Sequence, residues 1–290
     1  MSRAFKAACI QLTSGPDIAA NLEAAEGFVR RAHAAGAEIV FTPETSDLME
    51  PDRARLLEKA KPEADHQGLA RFRALAAELG CWISVGSFLI GASPEDGSAG
   101  KPSNRSFLLR PDGSIAARYD KIHMFDVEIP DGQSYRESDR FAAGSRAMLA
   151  PLPWGPIGLT ICYDMRFAAL YRELAQAGAL FLTAPSAFTR FTGQAHWHAL
   201  LRARAIECGA YMFAAAQCGT HPGGRQTYGH SLIVGPWGEV LADGGEVPGY
   251  VMAEIDPEKA LAARRAIPAL EGTRAFKVPQ ASAPASAPIA

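Results

Sequence analysis

The chain has no apolar run long enough to cross a bilayer, so nothing in its 290 residues reads as a membrane span. Met1 to Ser14 carries two basic residues but lacks the apolar stretch of a secretory signal. The five cysteines, Cys9, Cys81, Cys162, Cys208 and Cys218, are odd in number and scattered, which offers neither a disulfide framework nor a zinc site. A soluble protein of a reducing, cytoplasmic compartment is expected. Charge of one sign is scarce too: 29 Lys and Arg against 31 Asp and Glu leave a net charge of -2 and no basic footprint for nucleic acid. No Gly/Ser or Pro linker interrupts the chain before residue 272, so residues 1–276 are expected to form one large domain. Residues 277–290, mostly Ala, Pro and Ser, cannot bury much and read as a flexible tail.

What is present is apolar material in alternating periods. At 48% apolar and 21% charged residues, the chain can bury a large core without metal or disulfide. Strand-like segments at Phe5–Leu12, Glu38–Phe41, Cys81–Leu89, Gly158–Ile161, Ala179–Thr183 and Tyr211–Ala216 alternate with helical ones at Asp17–Ala35, His66–Leu79, Phe167–Ala177 and Ala195–Glu207. A hairpin around Pro236-Trp237-Gly238 joins Ser231–Val234 to Glu239–Ala242, with a further strand at Tyr250–Ile255. Gly91–Ser103 reads as a surface loop and Ile122–Ser145 as a long irregular stretch. This rhythm predicts an α/β fold, with sheets covered by helices on their outer faces.

Three polar residues stand where apolar strands end. The strand Gly158–Ile161 runs straight into Cys162, a geometry that can hold a sulfur rigidly against a cleft. Glu44 follows Glu38–Phe41 just past Pro43. Lys121 ends the return strand of a hairpin turned at Pro111-Asp112-Gly113. Each alone has an ordinary reading, as inert core thiol or solvated loop charge. Together they supply what thiol attack on an amide needs: a nucleophile, a base for its proton, and a cation for the oxyanion.

Thr42-Pro43-Glu44, Asp120-Lys121-Ile122-His123, Ile161-Cys162-Tyr163-Asp164-Met165-Arg166-Phe167 and Tyr228-Gly229-His230-Ser231 together resemble the nitrilase, or carbon-nitrogen hydrolase, superfamily. The resemblance runs from Ala7 to about Phe276 and implies a four-layer alpha-beta-beta-alpha sandwich. It implies the triad Glu44, Lys121 and Cys162, no cofactor, no metal, and a homodimer or higher homo-oligomer. Asp126-Val127-Glu128-Ile129-Pro130 and Ala214-Ala215-Ala216-Gln217-Cys218-Gly219 resemble the deaminated glutathione amidase branch, while Arg202-Ala203-Arg204-Ala205-Ile206-Glu207 is shared with the omega-amidases. The expected activity is hydrolysis of a small linear amide to carboxylate and ammonia through a thioester. The alternatives are an omega-amidase acting on alpha-ketoglutaramate and a catalytically silent binding protein with the same fold.

In that scheme Glu44 takes the thiol proton, while Lys121 and the backbone N–H of Tyr163 hold the oxyanion. Glu137, in Tyr135-Arg136-Glu137-Ser138, matches the family's second glutamate, and Glu128 competes for that place. A substrate bearing carboxylates calls for guanidinium groups near the thiol, for which Arg166 and Arg190 are candidates by position. Arg166 has an equal reading as structural partner of a neighbouring acid. A Cys-His hydrolase would pair Cys162 with His123, His196, His198 or His230, but no papain-type or caspase-type context surrounds the cysteine. His196 and His198 are two apart on a predicted helix and point to different faces, which spoils them as a metal pair.

Overall fold

The first strand shows how the layers form. In β1 (Phe5–Leu12), Ala7 and Cys9 join one buried cluster while Ala8, Ile10 and Leu12 join another, so both faces of the strand are covered. A computed structural model describes residues 3–92, 100–130, 132–272 and 274–278.

After β1 come α1 (Ile18–Ala34), β2 (Ile39–Phe41), α2 (Arg53–Lys59), α3 (Gln67–Leu79), β3 (Trp82–Ile90), β4 (Ser103–Leu109) and β5 (Ile115–Asp120). A small hairpin of β6 (Asp126–Glu128) and β7 (Ser134–Arg136) follows, then β8 (Met148–Leu152), β9 (Gly155–Leu159), α4 (Ala168–Gln176), β10 (Phe181–Thr183) and α5 (Arg190–Cys208). The chain ends through β11 (Tyr211–Ala214), β12 (Ala216–Thr220), β13 (Gln226–Tyr228), β14 (Leu232–Val234), β15 (Val240–Asp243), β16 (Gly249–Ile255) and α6 (Pro257–Ala266). One sheet has the order β13-β12-β1-β2-β3-β4-β5, with β16 antiparallel to β1; the other has the order β15-β14-β11-β10-β9-β8.

The two sheets stack face to face and helices close the outside, giving the four-layer alpha-beta-beta-alpha sandwich. Leu22, Val29, Leu69 and Phe72 of α1 and α3 pack on Val40 and Ile83 of the first sheet. Tyr171, Leu174, Trp197 and Leu201 of α4 and α5 join the cluster that holds both Phe41 and Phe213. Those two rings stack across the sheets at 4.4 Å, and Phe5 stacks on Trp154 at 4.0 Å. Each buried aromatic is worth about 1.5–3 kcal/mol of transfer free energy, and offset stacking adds to it. No helix among the described residues is long and apolar enough to cross a membrane.

Several boundaries differ from the sequence pattern. The segment Tyr211–Ala216 reads as one strand, yet β11 and β12 belong to different sheets. The switch occurs at Ala214-Ala215-Ala216, where Ala216 N–H donates to Ser231 Oγ at 2.8 Å and Ala215 O accepts from Ser186 N–H at 2.9 Å. Small residues let the backbone pass between layers without leaving a polar group unpaired. Helix α5 begins at Arg190, five residues before the expected Ala195. The β6–β7 hairpin lies within the expected irregular stretch; its three-residue strands bury little and carry no apolar period. β8, α2 and α6 are also additions to the pattern. Ser103 belongs to β4 rather than to the expected loop, of which residues 93–99 lie outside the described residues. Residues 279–290 of the expected tail lie outside them too.

Gly86 marks the closest approach of the strand ends. A Cβ there would meet Thr42 O at 1.9 Å and Pro185 Cβ at 2.5 Å, so only glycine lets β3 lie against both segments. Gly86→Ala is expected to lower stability by about 3 kcal/mol, since the clash is with backbone rather than a movable side-chain end. Urea denaturation of the two proteins measures it, and equal midpoints would show that the neighbours yield.

Candidate active site

Pro43 closes the path from β2, and Glu44 follows it into the space between the sheets. Thr45 then takes a left-handed conformation, φ 52°, with its N–H on Ser87 Oγ at 2.9 Å. Lys121 sits one residue past β5, its backbone N–H on Asn104 O at 3.0 Å. Cys162 opens a 3-10 turn after β9, also left-handed at φ 51°, and its N–H donates to Pro185 O at 2.9 Å. Non-glycine residues in this region cost about 1–3 kcal/mol each and persist where the surroundings fix them. Here Asp164, fully buried, accepts from Ile161 N–H at 2.9 Å, His123 N–H at 3.0 Å and Tyr119 Oη at 2.7 Å. That one carboxylate ties the turn carrying Cys162 to the strand end carrying Lys121.

The side chains converge. Lys121 Nζ donates to Glu44 Oε1 at 2.9 Å and to both oxygens of Glu137, at 2.9 and 2.8 Å. Asn104 Nδ2 donates to Glu44 Oε1 at 2.9 Å, Ala187 N–H to Glu44 Oε2 at 2.8 Å, and Phe125 N–H to Glu137 Oε2 at 2.6 Å. Cys162 and Glu44 line the same cavity and each shifts the titration of the other. Burial alone would raise the Glu44 pKa, but the charge and hydrogen bond of Lys121, the Cys162 thiol and the Ala187 N–H outweigh it and hold the carboxyl below its usual range. Burial, reinforced by the negative charge of Glu44, pushes the Cys162 thiol up to about 12. Burial opposes the Lys121 charge, yet Glu137 and Glu44 win and raise its pKa. At neutral pH the set is therefore a carboxylate, an ammonium and a neutral thiol, in which the carboxylate can accept the thiol proton.

A cavity of about 310 Å³ opens onto these groups. Its lining includes Glu44, Lys121, Glu137, Cys162, Tyr163 and Asn104, with Phe125, Tyr135 and Phe188 as aromatic walls. Three guanidinium groups also line it, those of Arg136, Arg140 and Arg225.

The structure brings Glu44, Lys121, Cys162, Glu137 and Tyr163 to one place, keeps Arg166 at its edge and sends Glu128 and Arg190 elsewhere. Glu128, the competitor of Glu137, is exposed and pairs with Arg136 at 2.9 Å, because the β6–β7 hairpin turns it outward. Arg190, at the start of α5, is exposed and pairs with Glu246 at 3.3 Å. Arg166 is not itself in the cavity lining, but it lies over the rings of Phe188 and Tyr163, which are, and contacts His196 Nδ1 at 3.3 Å. Nor does His123, His196, His198 or His230 line the cavity. His123 is held by Asp164 at 2.7 Å, while His198 and His230 both bond Asp243, at 3.0 and 2.8 Å. The ligand atoms of His198, His230 and Asp243 lie within 4.8 Å of one another, the one grouping among the described residues able to hold a metal ion, and none of the three lines the cavity. Asn104, Asp164 and Arg225 carry the site without having been singled out by sequence. Only Asp164 had a signal, two residues past the cysteine.

Residues 6–265 match the sequence model of the carbon-nitrogen hydrolase family. The chain belongs to the carbon-nitrogen hydrolase family. The members of this nitrilase superfamily to which it is similar include the deaminated glutathione amidase of Synechocystis, 41% identical over 270 residues that cover 92% of this chain and 97% of that one. The human deaminated glutathione amidase is 42% identical over 269 residues, covering 92% and 81%. Among solved structures, the NitFhit protein of C. elegans superposes with a TM-score of 0.87 at 38% identity, covering 94% of this chain and 66% of that longer one. The protein is thus a hydrolase of carbon-nitrogen bonds.

Asp164→Asn replaces one acceptor oxygen by a donor while every partner on that carboxylate also donates. The variant is expected to lose about 2–3 kcal/mol, for a buried donor left unpaired. Chemical denaturation reads the loss, and a midpoint within error of the parent protein would show that the turn is held some other way.

Proposed function

We propose that the protein is a cysteine-dependent amidase that hydrolyses a small linear amide, deaminated glutathione or a related omega-amide keto acid. The observation that carries this reading is the ion pair of Glu44 with Lys121 in a cavity that Cys162 also lines. Glu44 accepts the thiol proton as the sulfur of Cys162 attacks the amide carbon. Lys121 and the backbone N–H of Tyr163 stabilise the negative oxygen that forms. The proton on Glu44 passes to the leaving nitrogen and the carbon-nitrogen bond breaks, leaving a thioester. Glu44 then takes a proton from water, hydroxyl adds to the thioester, and carboxylate departs as the thiol is restored.

Glu137 stays outside this relay in the proposed scheme. Bonded through both oxygens to Lys121, it fixes the ammonium and balances its charge, a positioning role. The leaving group is the amine half of the substrate. It is ammonia only from a primary amide such as alpha-ketoglutaramate, whereas a peptide-like amide such as deaminated glutathione releases an amine.

Native and Cys162→Ala protein are to be incubated with deaminated glutathione and with alpha-ketoglutaramate while amine and ammonia are followed. Product from the native protein alone, with a thioester mass on Cys162 after rapid quenching, is expected. Equal turnover by both proteins removes Cys162 as nucleophile, and turnover by neither favours a silent binding protein.

The pH profile is a second test. Glu44 is held below the ordinary carboxylate range, so the base is present above that range and is lost only as pH falls through its lowered pKa. Log kcat/KM is expected to stay flat from about pH 5 to about pH 9, because the thiol and the ammonium titrate well above this window. An acid limb with an apparent pKa near 6 or 7 would instead point to a different base.

A further inference from the structure

We infer that Arg225 receives a carboxylate of the substrate, so that the amides this enzyme prefers carry an anionic group beyond the bond it breaks. The inference rests on the amidase reading above and names the class of molecule that reading takes.

Arg225 projects from a braced loop. The buried ring of His221 spans Ser14 O at 2.8 Å and Thr227 Oγ1 at 2.7 Å, while its backbone N–H donates to Arg225 O at 2.8 Å. Facing a carbonyl, Nδ1 carries the hydrogen, and Nε2 accepts from the Thr227 hydroxyl. From this support the Arg225 guanidinium reaches over the Tyr135 ring, 5.2 Å from its centroid, and Nη2 donates to Ala187 O at 2.6 Å.

Most charges around the cavity are matched, and among the arginines that line it only Arg225 has a buried nitrogen with no partner. Lys121 has Glu44 and Glu137. Glu50 is paired with Lys59 at 2.9 Å. Arg136 is paired with Glu128, and Arg140 donates to Pro51 O at 2.9 Å without a carboxylate in ion-pair distance among the described residues. Among the described residues Arg225 has no carboxylate within ion-pair distance, and its buried Nε has no hydrogen-bond partner. A half-buried guanidinium without a counterion is unfavourable unless something else supplies the anion, and a planar fork suits a carboxylate.

Its place relative to the reacting groups fits. Ala187 gives its N–H to Glu44 Oε2 and its carbonyl to Arg225, so bond lengths alone put the guanidinium within about 10 Å of that carboxylate. A keto acid amide, with its acid group a few bonds from the amide carbon, spans such a gap. Arg225 thus takes the part that position in the sequence had suggested for Arg190, which pairs with Glu246 outside the cavity.

The test compares an omega-amide keto acid with its methyl ester in the native, Arg225→Met and Arg225→Lys proteins. Arg225→Met is expected to lower kcat/KM for the acid at least about tenfold, mainly through KM, and to narrow the acid-to-ester ratio by a similar factor. Arg225→Lys, which keeps charge but not the fork, is expected to fall between. An acid-to-ester ratio equal to that of the native protein in both variants, even with both rates reduced, would mean that Arg225 only supports Ala187, and the proposal is overturned. If the native protein hydrolyses no amide, the amidase reading fails, and calorimetry with glutarate on Cys162→Ala protein decides the carboxylate site separately. Binding weakened at least tenfold by adding Arg225→Met supports the site, and unchanged binding overturns it.

Discussion

An ammonium group with only 2% of its side chain exposed, clamped between two carboxylates, is the interaction on which the rest of the site depends. Removing a charge of this kind from water is expensive, and losing either partner of such a cluster costs about 3–5 kcal/mol. The fold meets the requirement by closing two sheets over it and adding neutral donors: Asn104 and Ala187 on Glu44, and Phe125 on Glu137. Because Lys121 keeps Glu44 ionised, Glu44 in turn keeps the neighbouring thiol protonated. The resting state is thus a base beside an acid, the ordering that thiol addition to an amide carbon begins from.

That electrostatic cluster needs a rigid frame, and the frame is made of backbone. Thr45 and Cys162 both sit in left-handed conformations, and each is fixed by hydrogen bonds to a neighbouring strand end. Gly86 allows β3 to touch both the segment leading to Glu44 and Pro185, whose carbonyl accepts from Cys162 N–H. Asp164 links the cysteine turn to the lysine strand through the Ile161 N–H, the Tyr119 hydroxyl and the N–H and ring of His123. Strain at the reactive residues is therefore balanced by buried polar groups that are satisfied pairwise, an arrangement that restricts motion of the sulfur relative to the carboxylate.

The mouth of the cavity is built differently. It draws on the β6–β7 hairpin and the loop at Arg225, where aromatic rings and guanidinium groups take over from the buried triad. In the proposed reading the floor carries the chemistry and the mouth the choice of amide. Side chains at the floor answer to each other, whereas Arg225 answers to no acid of the described chain.

Hydrophobic period and strand-ending residues determined the order of most elements, and the apolar runs before Glu44, Lys121 and Cys162 placed each at a strand end, because burial of alternating faces is written locally. The motifs around these residues were enough to reveal the superfamily and its sandwich. Glu137 could be set ahead of Glu128 by resemblance, but only the outward turn of the hairpin puts Glu128 in solvent. Short elements such as β6, β7 and α2 bury too little to leave a pattern. The split of Tyr211–Ala216 between sheets was hidden because both pieces are equally apolar. Asn104, Arg225 and the backbone donors reach the site from distant segments, and Arg190 turns away from it despite a favourable position in the chain. Such choices depend on which charges find partners after the sheets have packed, and only the tertiary structure decides that.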